Sequence, residues 1–360
     1  MQVSQIESQI NRRIGAAIGD ATTTKQILVS NGAIAEVSHR YRQCFGDQPA
    51  MIVADNNTFA AAGQHVYHRF AEAGHQLADP FIYESPDLYA EYSYVESVRE
   101  ALSSQPVIPV AVGSGTINDL VKLAGGECER PYMVVATAAS MDGYTSFGAS
   151  ITRDGYKRTF PCPAPTSVIV DLDVIAQAPQ RLNAAGYADL MAKIPAGADW
   201  LIADALGIEP LDAYAWSLVQ DHMREWLAEP AAVRNGDFSA LAHLMEGLLM
   251  TGLGMQHIGS TRPASGAEHQ FSHLWDMQNH THRGSAPMHG EKVSIGTITS
   301  SSIYERLLQL EPCSISTDLE QVHSRWPAWE EVVAATKRDF PETRLAEQVI
   351  EEQRRKYLTP

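Results

Sequence analysis

Runs of β-branched and other apolar residues that read as buried strands recur up to about residue 175 and then stop: KQILVS (25–30), AMIVAD (50–55), VIPVAVG (107–113), YMVVATA (132–138) and SVIVDLD (167–173). Amphipathic stretches separate them. That alternation suggests a parallel sheet covered by helices, because parallel neighbours need long crossovers and strands buried on both faces read as continuous apolar runs. Between 148 and 162, GASITRDGYKRTFPC sets Asp154-Gly155 between extended residues, the signature of a β-hairpin turn inserted before the last strand. Beyond about residue 180 apolar residues fall at three and four spacing over 197–208, 211–228 and 238–256, which predicts helices. The expected fold class is an α/β N-terminal domain, residues 1–177, followed by an all-α C-terminal domain, residues 178–360, with the boundary at Ala178-Pro179. A cleft between two such domains is a common place for a ligand.

A chain of 360 residues with a formal net charge of -16 has no broad basic footprint for nucleic acid, so a nucleic-acid partner is not expected. Small anions held by a few local donors stay open. Cys44, Cys128, Cys162 and Cys313 are far apart and form no CxxC pair, so they read as reduced thiols. The N-terminal segment is polar and charged where a signal peptide needs an apolar core, and no later run of about eighteen residues is uninterruptedly apolar. A soluble cytoplasmic protein with no membrane partner is expected.

Two loops follow apolar strands. In VAVGSGTINDL, Gly113, Ser114 and Gly115 precede a helix that begins near Thr116, an arrangement that lets backbone N–H groups approach a phosphate at a helix N-terminus. A tight turn without a ligand has the same appearance, and the GxGxxG fingerprint of the Rossmann fold is missing. Asp55, at the end of AMIVAD, suits a ribose hydroxyl or a plain helix cap. The second loop carries Thr137, Ala138, Ala139 and Ser140, then Asp142-Gly143; its small side chains leave room for a cofactor, and it lies where ligands of open α/β sheets bind.

Five of the thirteen histidines fall between residues 265 and 294. His269 and His273 are four apart and share a helix face, but Gln270 stands where HExxH has its glutamate, so protease chemistry is unsupported. His289 opens HGEKVSIGTI. His280 and His282 sit among polar loop residues and read as non-ligands. Several histidines beside a hard carboxylate suit a divalent metal. Asp189 and Asp199 are both candidates for that carboxylate, and spacing does not choose between them.

Together, GSGTINDL, TAASMDGYTS, ADLMAK…ADW, SGAEHQFSHLWDM and HGEKVSIGT resemble the sn-glycerol-1-phosphate dehydrogenase family, within the glycerol dehydrogenase, dehydroquinate synthase and iron-type alcohol dehydrogenase superfamily. The similarity runs in order from about residue 50 to 300. It implies a dehydroquinate synthase-like fold, with a dinucleotide-binding N-terminal domain and a metal- and substrate-binding helical domain. The implied reaction is metal-dependent, NAD(H)- or NADP(H)-linked reduction of dihydroxyacetone phosphate to sn-glycerol 1-phosphate. Asp189, His269 and His289 would hold one Zn2+ or Ni2+, His273 and Asp142 would face substrate, and Asp55, Gly113, Ser114, Gly115, Thr116, Ile117, Thr137, Ala138, Ala139, Ser140 and Ser146 would line the cofactor. Two departures stand out. Ala188 occupies a position where the family more often has Gly, and KIPAGADW lacks the expected Thr or Ser, which leaves the phosphate contacts open. A homo-oligomer is expected. Glycerol dehydrogenase acting on free glycerol and a sugar-phosphate cyclase are the rival activities.

Overall fold

The computed structural model describes residues 3–19, 21, 23–85, 88–311, 318–340 and 343–357. Six strands, β1 (Gln26–Ser30), β2 (Ala50–Asp55), β3 (Phe81–Tyr83), β4 (Ile108–Gly113), β5 (Met133–Ala136) and β8 (Ser167–Asp171), form one sheet in the order β1-β8-β5-β4-β2-β3, every pair parallel. All five strand-like runs of the sequence lie in it. The sixth strand, β3, is three residues at an edge just after Pro80, too short to leave a pattern. β4 is buried at every position, as a central strand covered on both faces must be. The hairpin is β6 (Ala149–Arg153) and β7 (Tyr156–Phe160), a separate antiparallel pair. Its turn residues Asp154 and Gly155 have φ of 55° and 75°, the left-handed pair that a two-residue hairpin requires.

After β8 every described regular element is a helix. Those that matter here are α1 (Val3–Ile18), α2 (Gly115–Glu127), α3 (Gln180–Met191), α4 (Lys193–Ala205), α5 (Phe238–Ile258), α6 (Ala267–Met277) and α7 (His289–Leu308). The run 211–228 does not form one helix; it breaks at Asp221-His222 into Ala213–Gln220 and Met223–Trp226. α5 is long and apolar enough to cross a membrane, yet 83% of its most apolar window is buried inside the protein, the state of a core helix. α1 buries Ile6, Ile10, Ile14 and Ala17 against α5 and β1. Amphipathic spacing of those residues is what makes this N-terminal segment a helix, since isolated helices of its length are marginal without an apolar face to bury. Cys44, Cys128 and Cys162 are free thiols; Cys313 lies outside the described residues.

Candidate active site

Parallel strands all end on the same edge of the sheet, so the loops after β2, β4 and β5 are neighbours. The chain passes from β2 outward to β3, then returns to place β4 on the other side of β2, which makes the gap between β2 and β4 the switch point where open α/β sheets take ligands. Gly113 ends β4 and α2 begins at Gly115. Gly113 has no room for a side chain, since a Cβ there would lie 2.4 Å from Ile117 Cβ; one on Gly115 would meet the flexible end of Met141 at 2.7 Å. Ser114 is the N-cap residue of α2, and its side chain makes no capping bond, so backbone N–H groups at this end face the loop edge. Beside it, the Thr137 N–H donates to the Gly113 carbonyl at 3.1 Å.

Several expected cofactor residues have structural partners of their own. Asp55 caps the next helix, its Oδ1 accepting from the Thr58 N–H at 2.8 Å. Ile117, Ala138 and Ala139 are buried side chains, so only their backbone is available to a ligand. The Ser146 hydroxyl is also inside, donating to the Gly143 carbonyl and accepting from Lys122. Lys122, wholly buried on α2, further donates to the carbonyls of Gly143, Ser146 and Gly148 and so pins the SMDGYTSFG loop to the glycine-loop helix.

That loop leads to the histidines. The Asp142 N–H donates to Asp189 Oδ2 at 3.1 Å. Asp189, fully buried on α3, lies with His269 of α6 and His289 of α7 so that one ligand atom from each falls within 4.8 Å of the others. Asp199, the other candidate, is elsewhere: its Oδ2 accepts from the Ala267 N–H at 2.6 Å and its Oδ1 from the Tyr304 hydroxyl, so it caps α6. His280 and His282 are exposed and outside the cluster. Ala188 is half-buried one residue before Asp189, and Asp189 still reaches the group.

The donor set fits a divalent cation: one carboxylate and two imidazoles, held by further bonds that leave nitrogen lone pairs facing inward. His269 Nδ1 is 2.7 Å from Glu268 Oε1, so it carries the proton and Nε2 turns to Asp189, 3.6 Å away. His289 Nδ1 pairs with the Ser272 hydroxyl at 3.1 Å. Burial pushes His289 well below the ordinary imidazole value, which keeps it neutral and ligand-ready. Burial alone would raise Asp189, but the Lys193 ammonium, with His269 and His289, holds it well below the usual carboxylate range. Lys193 itself is wholly buried on α4 and sits 2.7 Å from both Asp189 Oδ1 and Asp142 Oδ2. Burial and the adjacent Asp189 charge push Asp142 up.

The ligand helices approach closely because small residues line their contacts. A Cβ on Gly290 would fall 1.9 Å from the Ala185 carbonyl oxygen and one on Gly186 1.9 Å from that of Ala139. Gly290→Ala is therefore expected to push α7 from α3 and displace His289, weakening metal binding by about 10- to 100-fold, the usual cost of disturbing the support of a ligand. Titration of the purified variant with Zn2+ against wild type checks this; equal affinities would show that the helices have slack.

Glu268, Ser272, Lys193 and Lys122 were not anticipated from the sequence. Glu268 left a signal, an acid directly before the histidine it orients; the two lysines left none, because an ordinary surface lysine on a helix has the same spacing.

An iron-containing alcohol dehydrogenase family model matches residues 28–179. Among curated relatives, the glycerol-1-phosphate dehydrogenase (NAD(P)+) of Geobacillus thermodenitrificans is 31% identical over 287 residues, 79% of this chain and 70% of that protein. The enzyme of the same name from Methanosarcina mazei is 32% identical over 275 residues, 76% and 75% of the two chains. The chain belongs to the glycerol-1-phosphate dehydrogenase family. The family member from Halalkalibacterium halodurans is 35% identical over 257 residues, which span 71% of this chain and 64% of that protein. The fold is also that of a probable glycerol dehydrogenase from Sinorhizobium meliloti, TM-score 0.61 at 20% identity over 77% of this chain and 76% of that one. A 2-deoxy-scyllo-inosose synthase has it too, TM-score 0.56 at 14% identity over 80% and 78%. The fold is thus shared by enzymes of different chemistry, and the side chains of the site must decide the activity.

Proposed function

We propose that this chain catalyses the reversible, metal-dependent, NAD(P)-linked interconversion of dihydroxyacetone phosphate and sn-glycerol 1-phosphate. The observation that carries this is one continuous loop. At Thr137 it bonds the glycine turn at the sheet edge, and at Asp142 it bonds Asp189 in the three-residue cluster, so a dinucleotide at one end and a cation at the other share a wall. The division of labour follows the change of secondary structure: residues 1–177 bind the dinucleotide and residues 178–360 hold the cation and substrate, to which the first part adds Asp142.

Asp189, His269 and His289 hold the cation, either Zn2+ or Ni2+, with Glu268 and Ser272 fixing the two imidazoles. The bound ion supplies Lewis acidity at the substrate's C2 oxygen and the nicotinamide supplies the hydride. Backbone groups of Gly113–Ile117 and Thr137–Ser140 take the dinucleotide, with the Thr116, Thr137 and Ser140 side chains beside them. Asp55 meets the adenosine ribose and disfavours a 2′-phosphate. Asp142 accepts from a substrate hydroxyl while Lys193 fixes its position. Burial, together with His269 and Lys157, pushes His273 down to about 4, so its imidazole is neutral at neutral pH. A neutral ring donates at one nitrogen and accepts at the other, which lets it relay a proton between solvent and the substrate oxygen without storing charge.

The test is loss of NADH or NADPH absorbance with dihydroxyacetone phosphate beside dihydroxyacetone, before and after chelation and with Zn2+ or Ni2+ restored. Turnover of the phosphate ester, lost on chelation and regained with metal, is expected. Preference for free dihydroxyacetone would make the protein a glycerol dehydrogenase, and no net nicotinamide oxidation with either would favour a cyclase.

A further inference from the structure

The β6–β7 hairpin takes no part in the main sheet, and nothing in the activity so far requires it. It packs on α6 and carries one side chain there: Lys157 Nζ lies 3.0 Å from Asp276 Oδ2. The other oxygen of Asp276 is bonded by the Lys292 ammonium. Asp276 is seven residues after His269 and three after His273, which places it on the same face of α6; Lys292 is three residues after His289 on α7. Two ammonium groups therefore converge one to two turns from the metal cluster and share a single carboxylate, leaving an excess positive charge. Lys292 is largely buried, with 7% of its side chain exposed, and Lys157 and Asp276 are about one-fifth exposed. An uncompensated cation in a partly desolvated place is costly unless an anion completes it.

We propose that Lys157 and Lys292 seat the phosphate of the substrate, with the hairpin delivering Lys157 across the cleft. This rests on the proposed function and adds to it the source of specificity for a phosphate monoester over the free polyol. The stretch Lys193–Trp200 offers no hydroxyl for that purpose, and a dianion next to two ammoniums gains charge-assisted hydrogen bonds from both. The seat lies along the same faces of α6 and α7 as His269 and His289, the two imidazoles that would hold the cation.

Inorganic phosphate is the probe. Its binding to the intact wild-type protein, followed by calorimetry, is expected to weaken by about 10- to 100-fold in Lys157→Met, the loss of one charge-assisted contact. The ratio of kcat/KM for dihydroxyacetone phosphate to that for dihydroxyacetone should fall by a similar factor through KM. Lys292→Met should do the same and Lys292→Arg should restore most of it, which a packing role would not predict. Unchanged phosphate binding in Lys157→Met, or equal losses on both substrates, would overturn the proposal. A wild-type protein that binds phosphate through Lys157 yet fails to reduce dihydroxyacetone phosphate would instead overturn the proposed function and leave the anion seat standing.

Discussion

Asp189→Asn is expected to lower kcat/KM with dihydroxyacetone phosphate by about 10^3-fold or more, the scale on which removing the Lewis acid from such a reaction is felt. The amide preserves shape but not charge. Asp189 is the only carboxylate in the three-residue cluster, and it also accepts from the Asp142 N–H and from Lys193. Neutralising it leaves the Lys193 ammonium facing Asp142 alone and leaves a divalent ion with two neutral imidazoles. Metal content measured on the dialysed variant should fall with activity. Retention of a full equivalent of metal together with wild-type turnover would remove Asp189 from the centre. Loss of turnover with metal retained would mean that the carboxylate acts on substrate instead. Asp199→Asn is the informative contrast, because that side chain caps α6 and should cost about 1 kcal/mol of stability with only a small change in turnover.

The pairing of those two aspartates shows how far the sequence carries. The strands β4, β5 and β8 were legible because burial on both faces requires unbroken apolar runs, and the hairpin was legible because Asp154-Gly155 supplies two left-handed residues in a row. Clustering of histidines marked the segment that brings His269 and His289 to Asp189. The choice of its carboxylate was not written in local pattern: Asp189 and Asp199 both lie on helices among small apolar residues, and only the docking of α6 on α4 turns one into a cap. Edge strand β3 is too short for any periodicity to register. α1 did have a pattern, Ile6, Ile10 and Ile14 at four-residue spacing, hidden by an otherwise polar composition. Lys157 was readable as a hairpin residue and nothing more, since its reach to Asp276 depends on how the hairpin lies over a helix more than a hundred residues later.

The second large effect concerns a residue that touches no metal. Lys193→Met would leave the carboxylates of Asp142 and Asp189 buried together with no ammonium between them, and breaking a buried pair in this way costs about 3–5 kcal/mol. For a chain of this size that is about 4–7 °C in Tm for the metal-free protein. The pH dependence then separates charge from packing. In the wild type Lys193 is raised and Asp189 lowered by their contact. The lysine's contribution is therefore complete below its unfolded value and fades as pH rises through the folded one; the aspartate's is complete above its unfolded value and fades as pH falls through the folded one. Metal-free wild type should accordingly lose stability on acidification. In Lys193→Met the sign reverses: two carboxylates without a countercharge share a proton, the folded value rises above the unfolded one, and the deficit shrinks as pH falls from about 7 toward 5. A bound divalent ion should shrink it as well, by restoring positive charge at Asp189, so the rise in Tm on adding Zn2+ should be larger in the variant than in wild type. Thermal melts at several pH values, with and without metal, read all of these. A deficit that changes with neither pH nor metal would reduce Lys193 to a packing residue and separate the Asp142 loop from the electrostatics of the centre.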